Sequence, residues 1–185
     1  MNLLPQGIHS MYILLTNTLT YNVYVYIKSL QQTMYLLWAN SNTQTKMFSD
    51  LLIADYPNYA MRFLSIYNIV SLSYNIRWIL KVWIKKNLVI ESITNLYTCA
   101  SWFEREAWDM YGVFYSNNLD LRRLLNDYGF NGHPLKKDYP LSGFTEATFS
   151  YISGVTSYSD IKMTQEYRLF NITSPWKYNT NITTI

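Results

Sequence analysis

The chain has 185 residues, 49% of them hydrophobic and 17% aromatic, and its formal net charge is +3. This length can bury one sizeable core and does not require a second, while the mild and evenly spread charge does not indicate nucleic acid as a partner. The single cysteine, Cys99, excludes an internal disulfide and cannot alone hold zinc or an iron-sulfur cluster.

Residues 1–20 are predicted to form an N-terminal extension. No lysine or arginine precedes Lys28, so this stretch lacks the basic residues of a signal peptide and the arginines of a transit peptide. The apolar run at residues 11–15 is too short to span a bilayer, and the run at residues 76–84 is interrupted by two basic residues. The sequence therefore predicts no transmembrane segment.

A strand and a helix are predicted next. Residues 21–27 alternate between the two faces of an extended chain, which predicts a strand with one buried face. Ser29 and Gln32 are spaced as a capping box ahead of a helix that ends at the polar segment 39–42. The core face of this helix is predicted to carry Leu30, Met34, Leu37 and Trp38.

Three further extended segments follow, two of which form a long antiparallel hairpin. Residues 46–55 close in a turn at residues 55–58, and residues 62–72 and 76–85 are joined by a short polar connection. The buried face of the first hairpin strand is predicted to carry Leu64, Ile66, Val70 and Leu72. That of the second is predicted to carry Ile76, Trp78, Leu80, Val82 and Ile84. The opposite row of Arg77, Lys81 and Lys85 is predicted to face solvent.

From Ser92 the apolar period becomes helical. The face of this predicted helix comprises Phe103, Ala107, Met110, Tyr111 and Phe114. Gly112 is placed to cap its C-terminus, and Asp120 to cap a short helical turn at residues 121–125. Arg105 and Asp109 are spaced for an ion pair one helical turn apart. Residues 126–143, rich in glycine and proline, are predicted to form a long ordered loop.

These elements predict an α+β fold. A mostly antiparallel β-α-β-β-β sheet is layered with helices, and a helical charged motif and an extended C-terminal tail follow it. The predicted domain boundaries are residues 1–20 for the extension, 21–115 for the α+β domain, and 116–185 for the ordered loop and a partner-binding tail.

Charge is concentrated between residues 102 and 143. This stretch holds six acids and five bases, so it nearly balances, and aromatic residues are interleaved with the charges. Such a composition suits a surface fixed by ion pairs and hydrogen bonds against other protein. The candidate contact residues are Glu104, Arg105, Glu106, Asp109, Gly112, Asp120, Arg122, Arg123, Asp127, His133, Lys137 and Asp138, together with Trp176 in the tail.

A catalytic or metal-binding role for this stretch is possible in principle, because carboxylates and imidazole serve both purposes. Glu104 and Glu106, however, point about 200 degrees apart on a helix, and Arg105 competes for the carboxylates. His133 precedes a proline in a turn, where a hydrogen bond to the backbone is the simpler explanation. The sequence thus predicts no catalytic, cofactor-binding or metal-binding residue in this chain.

The same stretch carries a set of short motifs. These are ERE at 104–106, WDMYGV at 108–113, DLRRLL at 120–125, DYGF at 127–130, GHPL at 132–135 and KDYPLSG at 137–143. Together they resemble the thirty-kilodalton subunit family of respiratory complex I, NADH:ubiquinone oxidoreductase, which occurs in bacteria and, as subunit 9, in organelle-encoded forms. Weaker resemblance extends from residue 21 to residue 176. The chain departs from the family at Asn118 and Leu119, where relatives commonly have His-Pro.

The resemblance implies a peripheral-arm subunit of the proton-pumping NADH:ubiquinone oxidoreductase. In that family the subunit binds no flavin and no cluster itself, although the complex uses FMN, iron-sulfur clusters and ubiquinone. Its implied role is to brace the forty-nine-kilodalton quinone-site subunit and neighbouring iron-sulfur subunits as part of a hetero-oligomer, with its tail laid across them.

Two further expectations concern location and an alternative function. A complex I subunit without an import presequence is either bacterial or encoded in the organelle. The richness in Asn, Tyr, Ile and Leu fits a strongly AT-biased genome and favours the organelle, with the chain on the matrix side of the mitochondrial inner membrane. The alternative is a free-standing basic module that binds RNA through sheet aromatics, with Arg77, Lys81, Lys85 and Lys86 beside them. Its affinity would fall steeply with salt, whereas complex membership predicts comigration with NADH dehydrogenase activity.

Overall fold

The computed structural model describes residues 8–15, 19–165, 167–168 and 170. These residues form nine strands, two α-helices and a short 3-10 helix at Ile27–Ser29. The strands are β1 (Ile8–Leu15), β2 (Leu19–Val25), β3 (Met47–Asp55), β4 (Phe63–Ser71), β5 (Ile76–Ile84), β6 (Val89–Glu91), β7 (Phe114–Ser116), β8 (Thr145–Ser150) and β9 (Val155–Asp160). The helices are α1 (Leu30–Ala39) and α2 (Ala100–Tyr111).

The chain divides into two compact units, residues 1–141 and 142–185. The first unit contains a five-stranded sheet in the order β1-β2-β5-β4-β3, in which only β2 and β5 run parallel, and a small parallel pair of β6 and β7. This is the predicted α+β fold, with mainly antiparallel pairing. The unit boundary falls later than the predicted boundary at residue 116, and β1 lies within the stretch predicted as an extension.

The core of the first unit lies between one face of the sheet and the two helices. Phe48 of β3 contacts Phe103 of α2 edge-on, with ring centroids 5.6 Å apart, and Leu30 and Met34 of α1 are fully buried. Apolar burial of this kind contributes about 25 cal/mol per Å². The residues of α1 that were predicted to face the core do so, and the predicted buried face of β5 is confirmed.

The prediction for the buried face of β4 was wrong, although one of its residues, Leu64, is buried. The core face of β4 carries Tyr67 and Ile69, which pair with Leu80 and Trp78 of β5, whereas Leu72 is exposed. This face also contains two serines, Ser65 and Ser71, that are fully buried. Because serine interrupts the apolar pattern, the neighbouring row of the strand has the higher apolar count and resembles the core face.

One predicted helix cap and one predicted helix end differ from the structure. Ser29 precedes α1 but its side chain donates to the carbonyl oxygen of Tyr26, so the predicted capping box does not form. Phe114 belongs to β7 and not to the second helix, because Gly112 adopts a left-handed conformation, φ 72°, that ends α2 after Tyr111. The predicted glycine cap is confirmed.

The second unit contains the antiparallel hairpin of β8 and β9. All six residues of β9 are exposed, and so are Phe149 of β8 and Ile152 of the turn. A two-stranded hairpin without a covered apolar face is at best marginally stable in water. Its large apolar side chains therefore require a covering surface to contribute to stability.

Candidate functional site

Asp109 of α2 organises the segment that follows β7. Its carboxylate is fully buried and accepts backbone amides of Leu124, Leu125 and Asn126 at 3.2, 2.9 and 2.9 Å on Oδ2. Its Oδ1 accepts the side chains of Arg123 at 2.6 Å and Asn126 at 2.8 Å. One carboxylate thus fixes a whole turn of irregular backbone to the end of α2.

The charge of Asp109 is stabilised by these donors. Burial raises the pKa of this carboxyl, but the amides of Asn126 and Leu125 and the Arg123 guanidinium outweigh burial and lower the pKa to about 2. Arg123 in turn lies between two rings, 5.4 Å from the Trp108 centroid and 5.6 Å from the Phe130 centroid. Asp109 is therefore fixed by several donors, and Arg123 by Asp109 and the two rings.

Glu104 is a second fully buried acid of α2, and it has neutral partners. It accepts the Ser92 hydroxyl at 2.7 Å, the Ile93 amide at 2.9 Å and the Asn118 side-chain amide at 2.7 Å. No ion pair to Glu104 occurs among the residues that the structure describes. Although acids and bases are nearly equal in number in this stretch, not every buried acid is paired with a basic side chain.

Burial raises the pKa of Glu104, although its three hydrogen bonds oppose the shift. Because the Glu104 carboxyl binds a proton more readily in the folded chain than in the unfolded chain, its contribution to the free energy of unfolding falls as the pH rises above its unfolded pKa.

Glu104→Gln is expected to remove this pH dependence and to lower the free energy of unfolding less than Glu104→Ala does. The alanine leaves two buried donors, of Ser92 and Ile93, and the partly buried Asn118 amide unpaired, at about 1 to 3 kcal/mol for each buried donor. Urea unfolding of both variants between about pH 4 and pH 7 tests this; equal costs would contradict it.

Arg105 and Asp120 do not make the contacts predicted for them. Arg105 donates to the carbonyl oxygens of Arg122 and Arg123, and its Nη1 lies 3.9 Å from Asp120, so it does not pair with Asp109. Asp120 caps no helix, because residues 121–125 form none. The amides of this segment that a helix would use are donated to Asp109 instead.

The side chain of His133 contacts the backbone at the end of α2. Its Nδ1 lies 3.0 Å from the carbonyl oxygen of Asp109, which can only accept, so Nδ1 carries the proton. The predicted backbone hydrogen bond of His133 is therefore confirmed. Burial lowers the pKa of this imidazole, which favours the neutral form. The ring packs directly over Gly112.

Gly112→Ala is expected to destabilise the chain by about 2 to 3 kcal/mol. A Cβ at Gly112 would lie 2.7 Å from Cδ2 of the His133 ring, and φ is positive there, which alone costs about 1 to 2 kcal/mol. Gly129→Ala is the matched control, because Gly129 has φ +70° but nothing within 4 Å of its added Cβ. The difference between the two variants in urea unfolding isolates the contact with His133. Equal effects would show that the ring moves away without cost.

A further ion-pair cluster joins the loop to the sheet. Arg62 is forked to Asp55 at 2.7 and 2.8 Å and to Asp138 at 2.9 Å through two nitrogens. Asp55 also accepts the Lys137 amide at 2.9 Å. The Arg62 hydrogen bonds lower the pKa of Asp55, and they lower that of Asp138 to about 2. Asp55 and Arg62 were not predicted as site residues, although their opposite charges flank residues 56–61 of the connection between β3 and β4.

The remaining candidate residues are exposed or lie outside the residues that the structure describes. The exposed residues are Glu106, Arg122, Asp127 and Lys137. The side chain of Arg122 is 72% exposed and lies beside Asp120. Trp176 lies outside the described residues. Leu119 and Tyr128 project fully from the loop between these charges. Buried acids thus anchor the loop, and arginine and apolar side chains form its outer surface.

The described part of the chain contains no group of three His, Cys, Asp or Glu side chains that could hold a metal ion. None of the helices in that part is both long and apolar enough to cross a membrane. Arg77 and Lys85 of the predicted solvated row are exposed, whereas Lys81 is half-buried and lies 5.5 Å from the Tyr24 ring.

Comparison with known proteins identifies the family. The family model for the 30 kDa subunit of respiratory-chain NADH dehydrogenase matches residues 23–145. The chain belongs to this family. It is 44% identical over 154 residues to NADH-ubiquinone oxidoreductase subunit 9 of Prototheca wickerhamii, covering 83% of this chain and 80% of that protein. The resemblance carried by the short motifs is confirmed.

The family includes bacterial proteins, and a chain of a different respiratory complex shares its fold. An NADH-quinone oxidoreductase subunit of Paramagnetospirillum magneticum is 42% identical over 132 residues, covering 71% of this chain and 66% of that protein. A chain in the solved structure of the membrane-bound sulfane sulfur reductase, an archaeal respiratory membrane complex, superimposes with a TM-score of 0.61 at 15% identity. The superposition covers 71% of this chain and 78% of that one. At this identity the likeness establishes the fold alone.

Membership in the thirty-kilodalton subunit family makes this chain a subunit of respiratory complex I, within a hetero-oligomer. The family match spans α2, the buried Asp109 with its donors, and the Arg62 cluster, so these anchoring groups lie in the matched region.

Proposed function

We propose that this chain is a non-redox, peripheral-arm subunit that braces the quinone-site and iron-sulfur subunits during electron transfer from NADH to ubiquinone. It binds no cofactor itself; FMN, the iron-sulfur clusters and ubiquinone are held by other subunits of the complex. Its partners are the forty-nine-kilodalton quinone-site subunit and its iron-sulfur neighbours. It lies on the matrix side of the mitochondrial inner membrane.

The anchored loop is the observation that carries the bracing role. Asp109, Glu104 and Asp55 each fix one part of residues 116–138 to the helix or the sheet, through hydrogen bonds between 2.6 and 3.2 Å. A loop held in this way keeps its shape before a partner arrives, so less conformational entropy is lost on binding. Its outward arginine and tyrosine side chains are of the types enriched at interfaces.

The hairpin of β8 and β9 supports the same role independently. Val155 and Phe149 are more than half exposed, and a neighbouring protein surface would bury them. Side chains that gain burial only on assembly stabilise the complex and not the isolated chain. This is the behaviour expected of a segment laid across other subunits.

Native gel electrophoresis of mildly solubilised membranes tests the proposal. The chain is expected to comigrate with NADH dehydrogenase activity, and its loss is expected to reduce the amount of assembled complex. Activity per assembled complex is expected to stay within about twofold of normal in variants of the anchored loop, because these residues act through assembly. Normal assembly with collapsed NADH:quinone turnover would contradict bracing and indicate a direct part in the chemistry.

A further inference from the structure

A groove of about 740 Å³ opens beside α2, and the bracing role does not account for it. It is lined by Arg105, Arg122 and Arg123 and by the backbone and side chains of residues 124–129. Three arginines therefore line one opening beside the anchored loop. Guanidinium groups present planar sets of N–H donors that fit carboxylates and phosphates.

Arg105 is a mostly buried residue whose guanidinium is incompletely used. Only 8% of this residue is exposed, and its Nε and Nη2 donate to carbonyl oxygens at 3.2 and 3.4 Å. Its Nη1 lies 3.9 Å from Asp120, which is beyond hydrogen-bond distance. Among the described residues Nη1 makes no hydrogen bond, so it can donate to a group that enters the groove.

The lining of the groove carries three arginines and one acid, Asp127, and two further acids lie beside the arginines. The nearest acid to Arg123 is Asp109, at 2.6 Å, and its two oxygens are already occupied by five donors. Asp120 is then the acid shared by two guanidiniums, at 3.1 Å from Arg122 and 3.9 Å from Arg105. One further carboxylate would complete the hydrogen bonding of this pair of arginines.

Apolar side chains flank the opening. Tyr128 is 99% exposed, and Leu125 is more than half exposed. A tyrosine and a leucine beside arginine donors form the mixed surface on which protein segments bind. Asp127 in the lining and Asp120 beside Arg122 would repel each phosphate of an extended chain, so a polyanion such as RNA fits less well than a single carboxylate.

We propose that this groove binds an aspartate or glutamate side chain on a loop of a neighbouring complex subunit. The carboxylate is received by Arg122 and by Nη1 of Arg105, and an apolar residue next to it packs on Leu125 and Tyr128. This deepens the proposed function and rests on it, because the occupant belongs to another subunit of the same complex.

The first experiment converts Arg122 into a reactive probe. Arg122→Lys keeps the charge at an exposed position, and a zero-length carbodiimide links lysine only to a carboxylate in direct contact. The assembled complex is treated and its peptides are analysed by mass spectrometry, with the wild-type complex as the baseline because it has no lysine at 122. A link from residue 122 to an aspartate or glutamate of another subunit is expected. Links only to Asp120 or Asp127, or none, would overturn the inference.

The second experiment reverses the charge. Arg122→Glu is expected to lower the amount of assembled complex about tenfold, because it places a carboxylate opposite the incoming one. Lys85→Glu is the matched control at an exposed base elsewhere, and it is expected to assemble normally. Equal assembly of both variants would count against the groove. If the wild-type chain did not comigrate with the complex, the proposed function itself would fail; comigration without a link to residue 122 rejects only the inference.

Discussion

Asp109→Ala is expected to lower the free energy of unfolding by about 3 to 5 kcal/mol, because it leaves a largely buried guanidinium and several backbone amides without their acceptor. Asp109→Asn is expected to cost less. Its single oxygen can still accept the amides of residues 124–126, whereas its amide nitrogen would face the donors of Arg123 and Asn126. Urea unfolding of the purified chain measures both changes.

Glu106→Gln is the control for this pair of variants. Glu106 lies on the same helix but is exposed, so its change is expected to stay within about 0.5 kcal/mol of wild type. In the complex, both Asp109 variants are expected to reduce the amount assembled, while Glu106→Gln is expected to assemble normally. If Asp109→Ala unfolded at the same urea concentration as Glu106→Gln, the carboxylate would not be what holds the loop.

The same carboxylate makes a definite contribution to acid stability. Because the pKa of Asp109 falls from an ordinary value of 3.8 to about 2 on folding, its stabilisation is complete above pH 3.8 and is lost as the pH falls through about 2. Asp109→Asn should therefore unfold with a shallower pH dependence than wild type in this window. Asp138 and Asp55 also have lowered pKa values, so part of the acid dependence should remain in the variant.

Local pattern was sufficient for much of the fold. The helical period located α2, the alternating pattern located the hairpin of β4 and β5, and Gly112 marked the end of α2. Each of these signals comes from residues close together in the chain. The face of β4 was missed because the core accepts serines, and burial of a small hydroxyl leaves no trace in an apolar pattern.

The contacts of the charged motif could not be predicted in the same way. Sequence spacing suggested that Arg105 would pair with Asp109, four residues away. Asp109 instead binds groups 14 to 17 residues away, and most of them are backbone amides, which carry no sequence signature. The pairing of Arg62 with Asp138 spans 76 residues and depends on the loop returning to the sheet. Residue type indicated that these charges matter; only the fold determines which of them meet.

Arg62→Met is expected to destabilise the chain by about 3 to 5 kcal/mol, because Asp55 would remain buried as an unpaired charge. Arg62→Lys should fall between wild type and Arg62→Met, since lysine keeps the charge but cannot fork to both acids. Asp138→Asn is the matched control: its side chain is 59% exposed, so removing its charge should cost only about 0 to 1 kcal/mol. Urea unfolding ranks the three variants.

The double variant Asp55→Asn with Arg62→Met decides whether the cost comes from the unpaired charge. Asparagine carries no charge, and its oxygen can still accept the Lys137 amide that Asp55 accepts at 2.9 Å. The double variant is therefore expected to be more stable than Arg62→Met alone, with a coupling energy of about 1 to 3 kcal/mol in a double-mutant cycle. If the two changes simply added, the stabilisation would come from packing of the arginine stem over Phe63, whose ring centroid lies 5.2 Å from the guanidinium carbon. The Asp55 pair would then fix the loop's position without contributing to the stability of the fold.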